Sequence, residues 1–191
     1  MSTVKVLAFA GSTRDGSYNK KLARVALESA TRAGASTTFI DLRDLALPMF
    51  DEDLEAKGLP AGARTFKDLL LGHDAFLISS PEYNSSVSAV LKNAIDWASR
   101  PEAGQPPLSC FTNKIVGLFA ASPGALGGLR GLVHIRQILG NINAIVLPQQ
   151  LALIKAHEAF DASGALKDKA QDQKVRDLGK KLAQTAARLH G

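Results

Sequence analysis

Val4-Lys5-Val6-Leu7-Ala8-Phe9-Ala10-Gly11-Ser12-Thr13-Arg14-Asp15-Gly16-Ser17-Tyr18-Asn19 is the stretch that decides the fold. Val4 to Ala10 is a short apolar run ending at Gly11, the pattern of a strand buried on both faces that runs into a glycine turn. Beyond the turn, Leu22, Val25, Ala26, Ser29 and Ala33 recur at helical spacing, with Ser17 placed to cap the helix N-terminus. Strand, turn and helix in that order open an α/β domain.

The same alternation continues along the chain. Thr37 to Asp41 reads as a second strand, Asp44 to Pro60 as a long polar loop, and Ala61 to Leu71 as a helix leading to a strand over Ala75 to Ser80 that Pro81 stops. Val87 to Ser99 places Val87, Val90, Leu91, Ala94, Ile95 and Ala98 on one stripe, a helix packed on a sheet. Pro101, Pro106 and Pro107 mark a surface loop before a fourth strand, Ile115 to Ala121. A helix from Leu129 to Leu139, a fifth strand from Ala144 to Leu147 and an amphipathic C-terminal helix with Val175, Leu178, Leu182, Ala186 and Leu189 on one side complete the reading. Short apolar strands alternating with helices predict a parallel sheet covered on both faces. Ligands of such sheets sit at the carboxyl ends of the strands, which singles out the loops Gly11–Asn19, Pro81–Ser86 and Ser122–Gly128.

The 191 residues fit one domain spanning 1–191, and 46% hydrophobic with 21% charged residues excludes disorder and fibre. A single cysteine, Cys110, removes disulfide scaffolds and cysteine-rich metal sites and reads as a packed thiol; a reducing cytoplasm is the expected location. No apolar run is long enough to span a bilayer, so no membrane association is expected. The net charge of +5 invites a nucleic-acid reading, but Lys167, Lys169, Lys174, Arg176, Lys180, Lys181 and Arg188 lie in the last helix and alternate with Asp168, Asp172 and Asp177. That is a solvated helix face, and with 6% aromatic residues little could stack on bases, so no nucleic-acid partner is expected. His73, His134, His157 and His190 lack metal-ligand spacing, and Asp51, Glu52, Asp53 and Glu55 lack the glycine-spaced loop of a calcium site; no metal is expected.

The first loop gathers hydroxyls, one arginine, an amide and two glycines at a helix N-terminus, which suits an anion; a plain polar turn with a serine cap is the alternative. Gly11 and Gly16 are too far apart for the dinucleotide fingerprint, and Ser17-Tyr18 stands where a P-loop needs lysine and a hydroxyl residue. Nor does the turn contain a thiol. What remains is a single terminal phosphate held mostly by neutral donors.

Pro81-Glu82-Tyr83-Asn84, Leu91-Lys92-Asn93-Ala94-Ile95-Asp96-Trp97 and Ser122-Pro123-Gly124 with Gly127-Gly128 follow the first motif in order. As an ordered set they resemble the NAD(P)H-dependent FMN reductases, a flavodoxin-like family that includes quinone, chromate and azo-dye reductases, from Val4 to about Gln150. The resemblance implies a doubly wound five-stranded parallel sheet of order 2-1-3-4-5. It implies that Ser12, Arg14, Ser17 and Asn19 bind the FMN phosphate, that Pro81, Glu82, Tyr83 and Asn84 line the isoalloxazine, and that Ser122 and Gly124 close its other side. It also implies NADPH or NADH as co-substrate, ping-pong hydride transfer through flavin N5 to a small-molecule acceptor such as a quinone, and no catalytic side chain. Thr13 departs from the family's usual apolar residue. A homodimer or tetramer is expected, with Lys92, Asp96 and Trp97 of the third-motif helix at a subunit contact; these residues otherwise serve packing rather than catalysis. Two rival roles are a non-enzymatic FMN electron carrier, which would be acidic to steer toward partners, and a redox-sensing FMN-binding module.

Overall fold

The computed structural model describes residues 3–190. Its main sheet is parallel and ordered β2-β1-β3-β6-β7, where β1 is Lys5–Ala10, β2 Ser36–Phe39, β3 Ala75–Ser79, β6 Ile115–Ala121 and β7 Ile145–Leu153. A two-stranded antiparallel ribbon of β4 (Glu82–Tyr83) and β5 (Ser86–Val87) stands outside it. Counting only the main strands, the order is the expected 2-1-3-4-5 of a doubly wound flavodoxin-like sheet.

Strand side chains alternate between two apolar layers, as a period of two requires. Val6, Ala8, Leu77, Ile115 and Phe119 face the helices α1 (Tyr18–Arg32) and α7 (Lys169–His190). Leu7, Phe9, Phe76, Ile78, Val116 and Leu118 face α3 (Ala61–Leu71), α4 (Ala89–Ser99) and α5 (Leu129–Asn141). Two short helices, α2 (Glu52–Glu55) and α6 (Ala156–Ala159), complete the set. The central strands β1, β3 and β6 are therefore buried on both faces, which is why their residues read as continuous apolar runs, whereas the edge strands β2 and β7 are partly exposed.

Several boundaries differ from the sequence reading, each for a local reason. β7 extends well past Leu147. Pro148 cannot donate to the ladder, so pairing lapses after Val116–Val146 and resumes with Leu118 opposite Gln150. The polar loop of residues 44–60 is more structured than expected: Leu45 is buried, and Asp51 caps α2 by accepting the Asp53 N–H at 2.7 Å. Leu189, placed on the buried side of the last helix, is exposed, the last buried residue of that helix being Ala186.

Trp97 is the larger correction. It is fully buried inside the chain, so it cannot form the expected subunit contact. Its indole N–H donates to the Pro48 carbonyl at 2.8 Å and its ring meets Phe50 edge-on at 5.0 Å between centroids. Asn93 donates to the same carbonyl at 2.8 Å and accepts the Phe50 N–H at 2.7 Å. Both residues pin the 44–60 loop onto α4. Lys92 and Asp96 pair with each other on the exposed face, one helical turn apart.

The tightest helix contact is between α1 and α7. A Cβ at Gly179 would overlap the Ala26 carbonyl oxygen, so the two helices cross at backbone distance. Gly179→Ala is expected to lower stability by about 1–3 kcal/mol in urea unfolding, because overpacking outweighs alanine's better helix propensity. An unchanged or raised midpoint would show that the crossing is not tight.

Candidate functional site

β1, β3 and β6 end at the same edge of the sheet, and the three loops singled out by the sequence leave from there. Ser12, Arg14, Ser17, Asn19, Pro81, Glu82, Tyr83 and Ser122 line one cleft of about 230 Å³. Asn84 and Gly124 line an adjoining hollow of about 510 Å³ that shares Glu82 and Ser122 with the first. All ten residues named from the sequence therefore surround one continuous edge. A concavity of about 560 Å³ lies elsewhere, between α1 and α7, but its Arg176 is held by Asp172 and Glu28 and its Arg24 lies over the Phe39 ring. Those cations are committed within the fold and do not converge on a ligand.

The first loop is arranged for an anion. Ser17 caps α1, its hydroxyl accepting the Lys20 N–H at 3.4 Å. Arg14 donates one N–H to the Gly16 carbonyl at 2.6 Å, and its guanidinium lies 4.7 Å from the centre of the Tyr18 ring. Tyr18 in turn is parallel to Phe160 at 6.3 Å. The loop's acid is drawn aside, since Asp15 pairs with Arg43, which also donates to the Thr13 carbonyl. Lys20 pairs with Asp41. Burial pushes the Asp41 carboxyl up, but Lys20 and the Arg43 N–H outweigh it and hold the group below the usual carboxylate range. An incoming phosphate would meet one guanidinium, hydroxyls and a helix N-terminus, with no unpaired carboxylate lining the first cleft.

Asn19 is buried, and its amide is already engaged. Its Oδ1 accepts the Ser79 hydroxyl at 2.8 Å and the Ala121 N–H at 2.9 Å, while Nδ2 donates to the Ala121 carbonyl at 3.0 Å. One N–H is left for any ligand.

The second loop is a hairpin the sequence reading did not anticipate. Asn84 and Ser85 both have positive φ, 50° and 66°, as a two-residue type I′ turn between β4 and β5 demands. Asn-Ser lacks the glycine of the strongest hairpin signal, and strands of two residues leave no periodicity. Glu82 faces away from the turn. Its carboxylate accepts from Arg130 Nε at 2.7 Å and from the Gly131 N–H at 3.0 Å. Helix α5 begins at Gly128, which has no capping side chain, so Glu82 supplies the cap from another element. Burial pushes this carboxyl up, yet the Gly131 N–H and Arg130 hold it below its ordinary value of 4.5.

The third loop is compact. The Ser122 hydroxyl accepts the Gly124 N–H at 3.2 Å, and Gly127 and Gly128 both take positive φ. A Cβ at Gly128 would sit 2.7 Å from Ala120 Cβ, so the turn presses directly on β6. Arg43, Arg130 and Tyr18 are the residues the sequence reading passed over. Arg130, just after Gly127-Gly128, could have been singled out by that position; Arg43 reaches the loop from the far end of β2 and carries no local signal.

The state of Glu82 gives a pH prediction. Its native carboxyl titrates below 4.5, so its contribution is complete above that pH and is lost as pH falls through the lowered value. Glu82→Gln is expected to cost about 1–2 kcal/mol at pH 7 and progressively less below pH ~4, measured by denaturant unfolding across pH. A pH-independent difference would show that shape, not charge, makes the cap.

The comparisons with known proteins agree with this geometry. Residues 4–158 match the family model for NADPH-dependent FMN reductase. An NAD(P)H-dependent FMN reductase of Pseudomonas aeruginosa is 36% identical over 190 residues, covering 98% of each chain. An NADPH:quinone oxidoreductase of Arabidopsis thaliana is 33% identical over 98% of this chain and 94% of its own. The solved structure of FerB, a flavoenzyme NAD(P)H:(acceptor) oxidoreductase from Paracoccus denitrificans, superposes with a TM-score of 0.81 at 28% identity, covering 97% of this chain and 98% of its own. With the family match spanning most of its length and relatives more than 30% identical over nearly all of it, the chain belongs to the NADPH-dependent FMN reductase family.

Proposed function

We propose that this chain, as one domain, binds FMN across the two adjoining clefts and works as an NAD(P)H-dependent oxidoreductase that reduces quinones or similar flat electrophiles. The observation that carries the reading is the convergence of an anion-suited loop and two backbone-rich turns at the carboxyl edge of β1, β3 and β6. When bound, FMN supplies the hydride chemistry between NADPH or NADH and the acceptor.

The chain's own groups bind and orient. Ser12, Ser17 and Arg14 hold the terminal phosphate, with Tyr18 as the surface on which Arg14 rests. Pro81, Tyr83 and Asn84 line one side of the ring, with Glu82 contributing its main chain while its carboxylate stays on α5. Ser122 and Gly124 line the other side. A flat ring with an imide edge is matched by main-chain N–H and C=O groups, which need no proton of their own. No side chain is assigned a proton-transfer role.

The charge of +5 favours turnover over a carrier role, since a carrier steered to protein partners is ordinarily acidic. Among the described residues no helix is long and apolar enough to cross a membrane, and action in the cytoplasm is proposed. Tyr83, Leu126, Leu129 and Val133 are exposed beside the clefts, and they give the proposed homodimer or tetramer an apolar contact in place of the buried Trp97.

Titration of the flavin-free protein is expected to show stoichiometric FMN binding, tighter than FAD, because the loop offers donors for one terminal phosphate. Arg14→Ala should weaken FMN by about 1.5–3 kcal/mol through loss of a charge-assisted bond, with the melting temperature of the flavin-free protein hardly changed. Absence of flavin binding, or tighter binding of FAD, would overturn the reading.

A further inference from the structure

Building on the flavin-site reading, we propose that the Asn19 carboxamide is a positioning group that completes the sheet and holds the three site loops in register. The argument begins at Pro81. β3 leaves the sheet there, and the last rung between it and β6 is the Ser80 N–H donating to the Phe119 carbonyl at 2.9 Å. β6 runs on to Ala121, whose N–H and C=O point to the same side as those of Phe119, where no strand remains. Left alone, these buried groups would be unpaired, at a cost comparable to that of lost hydrogen bonds.

The Asn19 carboxamide fills that place. It has the donor and acceptor geometry of a peptide group, and it meets Ala121 with both, at 2.9 Å and 3.0 Å. Its second acceptor position takes the hydroxyl of Ser79, which is fully buried. Ser79 also receives the Gly11 N–H on its carbonyl at 2.9 Å, which ties in the end of β1. Each partner stands next to a loop of the site. Asn19 lies just inside α1 behind the Arg14–Ser17 turn, Ser79 precedes Ser80-Pro81, and Ala121 precedes Ser122-Pro123. One side chain therefore sets the spacing between the element that would hold a phosphate and the two that would hold a ring.

The chemistry allows few substitutes. Aspartate would set a carboxylate oxygen against the Ala121 carbonyl, and alanine would leave both Ala121 groups unpaired.

The test compares FMN with riboflavin, which has the ring but no phosphate, in Asn19→Ala, Asn19→Asp, Ser79→Ala and Arg14→Ala. A clamp predicts that Asn19→Ala and Asn19→Asp weaken both flavins by the same factor, about tenfold or more. They should also shift the visible absorption of bound FMN and speed hydrogen exchange of the Ala121 amide in the flavin-free protein. Ser79→Ala, which removes a single bond and keeps the inference testable if the Asn19 variants do not fold, should weaken both flavins equally by about threefold to fivefold. Arg14→Ala should weaken FMN alone, and Gly179→Ala, destabilising but remote, should leave both affinities and the absorption band unchanged. Loss confined to FMN in the Asn19 variants, with Ala121 still protected, would overturn the clamp while leaving the flavin reading intact. If the wild type bound neither flavin, that reading would fall, and Ala121 exchange would still decide for or against the clamp.

Discussion

The molecule depends on one mismatch of strand lengths. β3 ends before Pro81, its last bond to β6 being Ser80 N–H to the Phe119 carbonyl, while β6 beside it continues to Ala121. The gap left between them opens the sheet at its carboxyl edge, and the same gap strands a buried N–H and C=O that must find partners. The Asn19 amide supplies both, and it can do so only because α1 begins immediately behind the first loop, capped by Ser17. Opening the edge and stitching it are therefore one arrangement. A longer β3 would close the crevice, and a shorter β6 would leave Asn19 nothing to hold.

Charge is disposed with the same economy. The basic groups nearest the first loop are partly spent on its acids, Arg43 on Asp15 and Lys20 on Asp41, so Arg14 remains as the cation lying beside the cleft with most of its donors unused. At the other end Glu82 is consumed by Arg130 and the N-terminus of α5. The first-loop end of the edge is left with a net attraction for an anion, and the hairpin end with mostly neutral, main-chain character. That gradient suits a flat ligand carrying one phosphate tail.

Strands, helix positions and the three loops were legible in the sequence because each rests on local pattern, whereas the sheet order came with the family resemblance. Buried strands show as apolar runs, helices as stripes, and turns as clusters of glycine, proline and hydroxyl residues. What was not legible depends on partners distant in the chain. Trp97 looks like an interface residue until Pro48 and Phe50 are seen folded over it. Glu82 is expected beside the ring and does line the cleft, but nothing local shows that its carboxylate accepts the Gly131 N–H at 3.0 Å. β7 looked short because Pro148 interrupts its pattern, although its pairing with β6 resumes beyond it. In each case the residue type was informative and its contact was not.

The relatives act on quinones and on FMN by their names, and this chain gathers at one sheet edge the groups that would hold such a flavin. If FMN is held at this edge as proposed, reduction by the nicotinamide and oxidation by the acceptor would be separable. The most direct measurement is an anaerobic titration of the FMN-loaded protein, first with NADH or NADPH and then with a quinone. One equivalent of nicotinamide is expected to bleach the flavin absorption and one equivalent of quinone to restore it. A flavin band that neither nucleotide bleaches would contradict the proposed function.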